Sequence, residues 1–311
     1  MSERTKSIIH SICSLFFICF LLSGCKSYDQ KNAELPDTPK RGSIRVSADE
    51  SFKPVIDQMV MVYESNNPGT KINVVYKPEA ECMKDLFNDS IRMVIATRAT
   101  SDAEQDAIID SLGMGPRSLT VARDGIAVIL NPAEEDSVFT MPEIKQILRG
   151  KYNKKLIPVF DGLKATSTVR FCIDSVLRGD SLTPMAMAAR SSEAVIDYVS
   201  KNKGVIGFIG VSWIGNPEDT AQISFLKKVK VASLEIVGRP GYFGKAYQAN
   251  IYFKRYPMVR DLVYMLKENY IGLGTGFADF ISGELGQIIF RRSYLAPALK
   301  NLGIRPVKLN E

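Results

Sequence analysis

Between residues 43 and about 290, short β-type runs alternate with amphipathic helical runs, and this alternation restricts the folds open to the chain. Residues 43–48 (SIRVSA) predict a strand. Phe52, Val55, Ile56, Met59, Val60 and Tyr63 then recur at helical spacing, and Asn66-Asn67-Pro68-Gly69 stops that helix. A strand is expected over 71–76, a short helix around Cys82, Met83, Leu86 and Phe87, a strand over 92–96 and a helix over 102–112. Residues 118–122 and 126–130 predict two strands broken by Arg123-Asp124-Gly125. Further on, a helix over 141–148, a strand over 157–160, helices around 169–177 and 195–199, and a Gly-punctuated buried strand over 204–211 are expected. Phe277, Phe280, Ile281, Leu285, Ile288 and Ile289 predict one long final helix. Strand-helix alternation predicts an α/β fold with mainly parallel sheets covered by helices. A body of about 270 residues predicts two such lobes rather than one.

The N-terminus carries a different signal. Arg4 and Lys6 precede a fifteen-residue run, 8–22, in which only His10, Ser11 and Ser14 are not apolar. A membrane span needs about twenty apolar residues, so the run fits the core of a secretory signal better than an anchor helix. It ends in Leu22-Ser23-Gly24-Cys25, which resembles the lipobox of bacterial lipoproteins. That resemblance implies cleavage after residue 24, a lipid on Cys25 and attachment to a membrane on the extracytoplasmic side. Residues 26–42 are polar, without apolar periodicity, and read as a flexible tether.

Processing would alter the chemical inventory. The whole chain has 40 basic and 34 acidic residues, one His and five Cys. Loss of residues 1–24 leaves a net charge of +5, removes His10, Cys13 and Cys19, and leaves Cys82 and Cys172 as the thiols not used by lipid. A chain without His cannot build a Ser-His-Asp triad, a Cys-His pair or a His-ligated metal site, and two Cys cannot make a structural zinc site. No metal, cofactor or catalytic residue is expected. The small, dispersed positive charge gives no reason to expect nucleic acid as a partner. Cys82 and Cys172 lie on apolar helix faces and read as buried free thiols, and Trp213 reads as a packing residue. The Tyr-rich residues 242–256 read as a solvated loop and strand edge.

Three strand-to-helix junctions carry hydroxyl residues: Asp49-Glu50-Ser51, Thr97 to Ser101, and Thr166-Ser167-Thr168. Each can cap its own helix. Converged, they offer free N–H groups and hydroxyl donors at the carboxyl ends of strands, an arrangement suited to an oxyanion, with Arg98 as a charged fork.

Several segments across residues 43–297 resemble the phosphate-binding, PstS-like solute-binding proteins of ABC importers, within the type II periplasmic-binding-protein superfamily. Ser51-Phe52-Lys53-Pro54 looks like the family's first phosphate loop, and 94–100 (VIATRAT) like its strand with a small hydroxyl-bearing segment. Residues 121–132 (VARDGIAVILNP) resemble the crossover between lobes, Thr166-Ser167-Thr168 the second phosphate loop, 204–210 (GVIGFIG) a late strand of the second lobe, and 286–289 (GQII) part of the last helix. The resemblance implies two mainly parallel or mixed sheets flanked by helices, with two hinge crossovers: lobe 1 from 43–123 and 237–311, lobe 2 from 124–236. It also implies a non-enzymatic, monomeric protein that carries a small oxyanion, phosphate first, to an ABC permease. Ligand-binding residues are then Ser51, Phe52, Thr97, Arg98, Thr166, Ser167 and Thr168. The family's Arg before the second loop is absent, Val159-Phe160-Asp161 standing there, and Arg98 is the expected replacement. Lys77-Pro78-Glu79-Ala80-Glu81 replaces the Gly-Ser-Gly-rich second loop of lobe 1, and Glu79 is the expected acceptor of a ligand proton. The alternative is a surface or sensory lipoprotein of the same fold that binds another ligand or a protein without transport.

Overall fold

A computed structural model describes residues 35–164 and 166–300; the leader and Cys25 lie outside them. The chain opens with β1 (Gly42–Asp49), α1 (Lys53–Asn66), β2 (Thr70–Lys77), α2 (Glu79–Lys84), β3 (Met93–Ala96) and α3 (Asp102–Leu112). β1 pairs in parallel with both β2 and β3, as alternation requires. Next come β4 (Arg117–Leu130), β5 (Val138–Phe139), α4 (Met141–Leu148), β6 (Ile157–Phe160) and α5 (Ser167–Phe171), which continues as a π-helical turn, Cys172–Leu177. They are followed by β7 (Met187–Ala188), α6 (Ser192–Lys201), β8 (Val205–Gly210), α7 (Thr220–Lys228), β9 (Lys230–Val231) and β10 (Ser233–Glu235). The chain returns through β11 (Phe243–Gly244), α8 (Gln248–Tyr252), β12 (Val259–Leu266), α9 (Leu273–Ser282), α10 (Glu284–Arg292) and β13 (Ala296–Pro297).

The strands run β2-β1-β3-β12-β4-β8-β6-β7 in one mixed sheet, with β13 and β9 also on β4; β11, β10 and β5 form a small separate sheet. The two strands expected over 118–130 are one. Its first half pairs with β12 and its second half with β8, both antiparallel. Asp124 does not break the strand because Arg260 stands opposite it on β12 and neutralises it. Gly125 fits because a Cβ there would come within 2.9 Å of Ile251. Strand β12 itself was not expected. The single final helix is two, separated by the extended backbone of Gly283. The pair folds back so tightly at Gly286 that a Cβ there would lie 2.4 Å from the Phe280 carbonyl.

Two large cores flank the passage of β4. The first gathers Ile44, Val46, Phe52, Ile56, Met59, Phe277 and Phe290. The second gathers Ile126, Val128, Phe160, Val195, Ile206 and Phe208, and it also takes in Ala246, Ile251, Tyr256 and Met258. Each fully buried side chain of this size favours folding by about 1.5–3 kcal/mol. A smaller core holds Cys82, Leu86 and Ile91 under α2 and α3.

The polar segment expected to be tether is packed from residue 35 onward. Asp37 is buried, accepts from Leu273 N at 2.6 Å and Tyr270 OH at 2.8 Å, and pairs with Arg92. A carboxylate at the start of α9 meets the free N–H groups and positive end of that helix, so this segment is fixed to the body. Among the described residues no helix is long and apolar enough to cross a membrane.

Candidate ligand-binding site

Where β4 passes between the two cores, a group of polar side chains is sealed from solvent. β1 delivers one part of it. At its end, Asp49 Oδ1 accepts from Ser51 N at 3.0 Å and turns the chain through Glu50–Phe52 into α1. Ser51 is fully buried, and its Oγ lies 3.3 Å from Asp161 Oδ2 and 3.4 Å from Ser167 Oγ. Its carbonyl accepts from Trp213 Nε1 at 2.9 Å and Ser212 Oγ at 3.2 Å. The first junction is therefore held by residues of the second core, and Trp213 is a donor to the site as well as a packing residue.

Arg260 enters from β12. Its Nε donates to Asp124 Oδ2 at 2.9 Å, and its Nη1 donates to Ser167 Oγ at 2.7 Å and Thr168 Oγ1 at 3.2 Å. Its Nη2 sits 2.9 Å from Asp124 Oδ2 but has no aligned hydrogen-bond acceptor among the described residues. The guanidinium lies 5.0 Å above the Phe52 ring centroid, a cation–π contact inside the protein. Gly210 makes room for it: a Cβ there would lie 3.2 Å from both Arg260 Nη2 and Asp124 Oδ2.

Acid groups crowd this cation. Burial pushes the Asp49 carboxyl up to about 6, with Arg260 partly offsetting it. Glu50 is pushed up to about 7, first by burial and then by the charge of Asp161, against hydrogen bonds from Ser192. Asp161 is raised by burial, opposed chiefly by Arg260. Ser192, at the start of α6, donates from Oγ to Glu50 at 3.1 Å and to Asp161 at 3.3 Å. Among the described residues, Asp49 Oδ2 and Asp161 Oδ1 are buried without a hydrogen-bond partner. Carboxyls so placed favour the protonated form, or a ligand that brings a donor.

A second polar group lies nearby. Glu79, at the start of α2, accepts from Thr97 N at 2.8 Å, Thr97 Oγ1 at 2.5 Å and Arg170 Nε at 2.5 Å. Arg170 Nη2 also donates to Thr97 Oγ1 at 2.7 Å. Burial opposes the charge on Glu79, but the guanidinium and the Thr97 donors outweigh it and hold the carboxyl below its ordinary value. Glu79 and Thr97 lie on the β1–β3 side and Arg170 on α5, so this ion pair ties the two halves together.

The structure brings Ser51, Phe52, Ser167 and Thr168 around Arg260, while Thr166 caps α5 through Val169 N at 3.3 Å. Thr97 joins Glu79 instead. Arg98 is held elsewhere: it makes a two-pronged pair with Glu104, at 2.6 and 2.7 Å, beside the Ser101 cap of α3. The guanidiniums in these two polar groups are Arg260, which is buried, and Arg170, which is partly exposed. Arg260 sits in an alternating run, VRDLVYML, and that alternation is a strand signal. Arg170 follows Thr166 by four residues and so shares its helix face. Asp124, Asp161 and Ser192 carried no comparable signal. Cys82 and Cys172 are buried and unpaired, with burial pushing both thiols up to about 12. Among the described residues no group of three or more His, Cys, Asp or Glu is arranged to hold a metal ion.

A family model described as the PBP superfamily domain matches residues 33–284, most of the chain. The chain belongs to this family. The fold of this PBP-family chain is the two-lobed one of periplasmic binding proteins, as solved structures show. A Clostridium perfringens protein, assigned as a phosphate ABC transporter substrate-binding protein and solved with phosphate bound, superposes with a TM-score of 0.69 at 21% identity, covering 83% of this chain and 100% of that one. An ABC-type phosphate transport receptor from Vibrio cholerae gives 0.60 at 18% identity, over 81% of this chain and 99% of its own. PstS from Borrelia burgdorferi gives 0.52 at 18% identity, over 82% and 98%. A search of curated proteins finds no match.

Proposed function

We propose that this PBP-family chain is an extracytoplasmic lipoprotein that captures a small oxyanion, inorganic phosphate first, between two lobes and delivers it to an ABC importer without chemical change. One observation carries the proposal: Ser51 from one side meets Ser167 from the other, and Ser167 and Thr168 accept from the buried Arg260 guanidinium, which keeps an N–H group without an aligned acceptor among the described residues. Hydroxyls and a guanidinium are the donors that an oxyanion needs. The open oxygens of Asp161 and Asp49 suit the proton that phosphate carries and sulfate at neutral pH lacks. Lobe 1 is taken as 43–123 with 237–311 and lobe 2 as 124–236, with Ala246, Ile251, Tyr256 and Met258 of the returning segment packed into the core of lobe 2. Residues 1–24 are a leader, and Cys25 bears the lipid. A ligand touching both lobes favours the closed arrangement, which is the form presented to the permease.

Calorimetry of the detergent-purified full chain with phosphate and sulfate at pH 6 and pH 8 tests this. Phosphate binding that weakens at least roughly tenfold in Ser51→Ala, the loss of one charge-assisted hydrogen bond, is expected. No heat with phosphate at either pH overturns the assignment. One observation favours the same fold with a different ligand or a protein partner: Asp49, Asp124 and Asp161 outnumber the single guanidinium they surround. A thermal-shift screen including molybdate and phosphonates separates the two, because a ligand of the native state raises its melting point.

A further inference from the structure

Beside the sealed polar cluster lies an open cavity of about 380 Å3, bounded by α2 and Arg98 on one side and by Leu163, Lys164, Thr166 and one face of α5 with its π-helical turn on the other. At about 30 Å3 per water it holds on the order of ten waters, several times what a five-atom oxyanion displaces. Its character also differs from that of the cluster. Met83, Leu163, Val169 and Ile173 give it an apolar floor drawn from both halves of the protein. Of the charged groups that line it, Glu79, Arg98, Arg170 and Asp174 are committed to ion pairs, and Lys164 makes none among the described residues. Arg98 is paired with Glu104, and Arg170 with Glu79, so neither is a spare site for a second anion. A pocket of this size whose apolar floor lies inside a rim of charged and polar groups is suited to a carbon skeleton that carries a polar head. Thr166 belongs to both places: it lines the cavity, and the next two residues, Ser167 and Thr168, hold Arg260.

We propose that the cavity receives the carbon substituent of an organic oxyanion, a phosphonate or phosphate monoester with a short aliphatic or aromatic group, whose head group lies at the Ser51–Arg260 cluster. The proposal rests on the oxyanion reading and supplies the other half of the ligand. An inorganic anion leaves the apolar floor facing water. A substituent lying across Met83 and Ile173 covers apolar surface on both halves at once, so it adds a driving force for closure that the head group alone does not provide.

Calorimetry of the detergent-purified full chain compares inorganic phosphate with phenylphosphonate and phenyl phosphate. The aryl ligands are expected to bind roughly tenfold more tightly or better, the factor for burying about two methylene equivalents. Ile173→Trp and Ala80→Phe fill the cavity from positions that are not fully buried, so folding is little disturbed. Each is expected to bring the ratio of the two affinities down toward one. Phosphate binding with aryl ligands equal or weaker overturns the proposal and leaves the oxyanion reading standing. A ratio that survives both variants also overturns it. Failure of every anion to bind overturns both.

Discussion

Arg260→Leu removes the positive charge from a buried group that contains Asp49, Asp124 and Asp161, and its cost is calculable from their surroundings. Arg260 and Asp124 face each other across β12 and β4 with the guanidinium about 5% exposed, so solvent gives little screening. Removing one member of a buried ion pair costs about 3–5 kcal/mol, mostly because the partner is left charged and uncompensated. The cost depends on pH in a definite direction. Asp49 and Glu50 titrate near about 6 and 7 in the folded protein, above their ordinary values of 3.8 and 4.5, so the folded state binds these protons more tightly than the unfolded state does. Stability from these protons is complete below about pH 4 and is lost as pH rises through 6 to 7. Loss of Arg260 removes a charge that lowers the Asp49 value, so in the variant the same decline extends to higher pH and is deeper. The full 3–5 kcal/mol is expected at pH 8, and about 1–2 kcal/mol less at pH 5, where Asp49 and Glu50 are already protonated. Urea unfolding followed by Trp213 fluorescence and by circular dichroism at both pH values measures the difference. Arg260→Leu combined with Asp124→Leu should recover much of the loss. A cost below about 1 kcal/mol at pH 8, or the same cost at both pH values, refutes the reasoning.

Arg170→Ala should destabilise by about 1 kcal/mol rather than by the full value for a buried pair, because its side chain is about a third exposed; the loss should fade below pH 4.5 as Glu79 takes up a proton, and urea titrations at pH 4 and pH 7 read it. Cys82 and Cys172 should react with a thiol reagent at pH 8 only at the rate of unfolding, and fast labelling of the native protein would contradict their burial. Cys25→Ala should release the protein from membranes into the soluble fraction, and retention of a chain cleaved after residue 24 would contradict the lipid anchor.

The alternating βα frame and the hydroxyl junctions were legible because they are local: periodicity sets faces, and Ser or Thr before a helix sets caps. Ser51, Ser167 and Thr168 were found that way, and they meet. The charged half of the cluster was not legible. Arg260 meets Asp124 across β12 and β4 at a separation of 136 residues, and sequence spacing says nothing about such a pairing. Arg123-Asp124-Gly125 reads as a turn because two charges and a glycine seldom sit inside a strand; neutralisation of Asp124 by Arg260 makes the strand continuous. Arg98 was the nearest guanidinium in sequence to a junction, but Glu104, six residues away on the next helix, competes for it successfully. Asp37 and the docked segment were hidden by polar composition, which describes a tether and a helix cap equally well.

Strand β4 is a member of two hydrogen-bonded ladders in succession, with β12 over one half and β8 over the other. No loop separates the two halves at this crossing: the chain passes from one to the other as a continuously paired ribbon, pinned at its middle by the Arg260–Asp124 contact. The same continuity ties assembly together. A fragment ending near residue 123 lacks the strand segment that seeds the second core, and a fragment beginning there lacks the ladder that closes the first. Folding of either half therefore waits on residues from the other, and the crossing is a point where cleavage of the chain cannot yield two self-sufficient pieces.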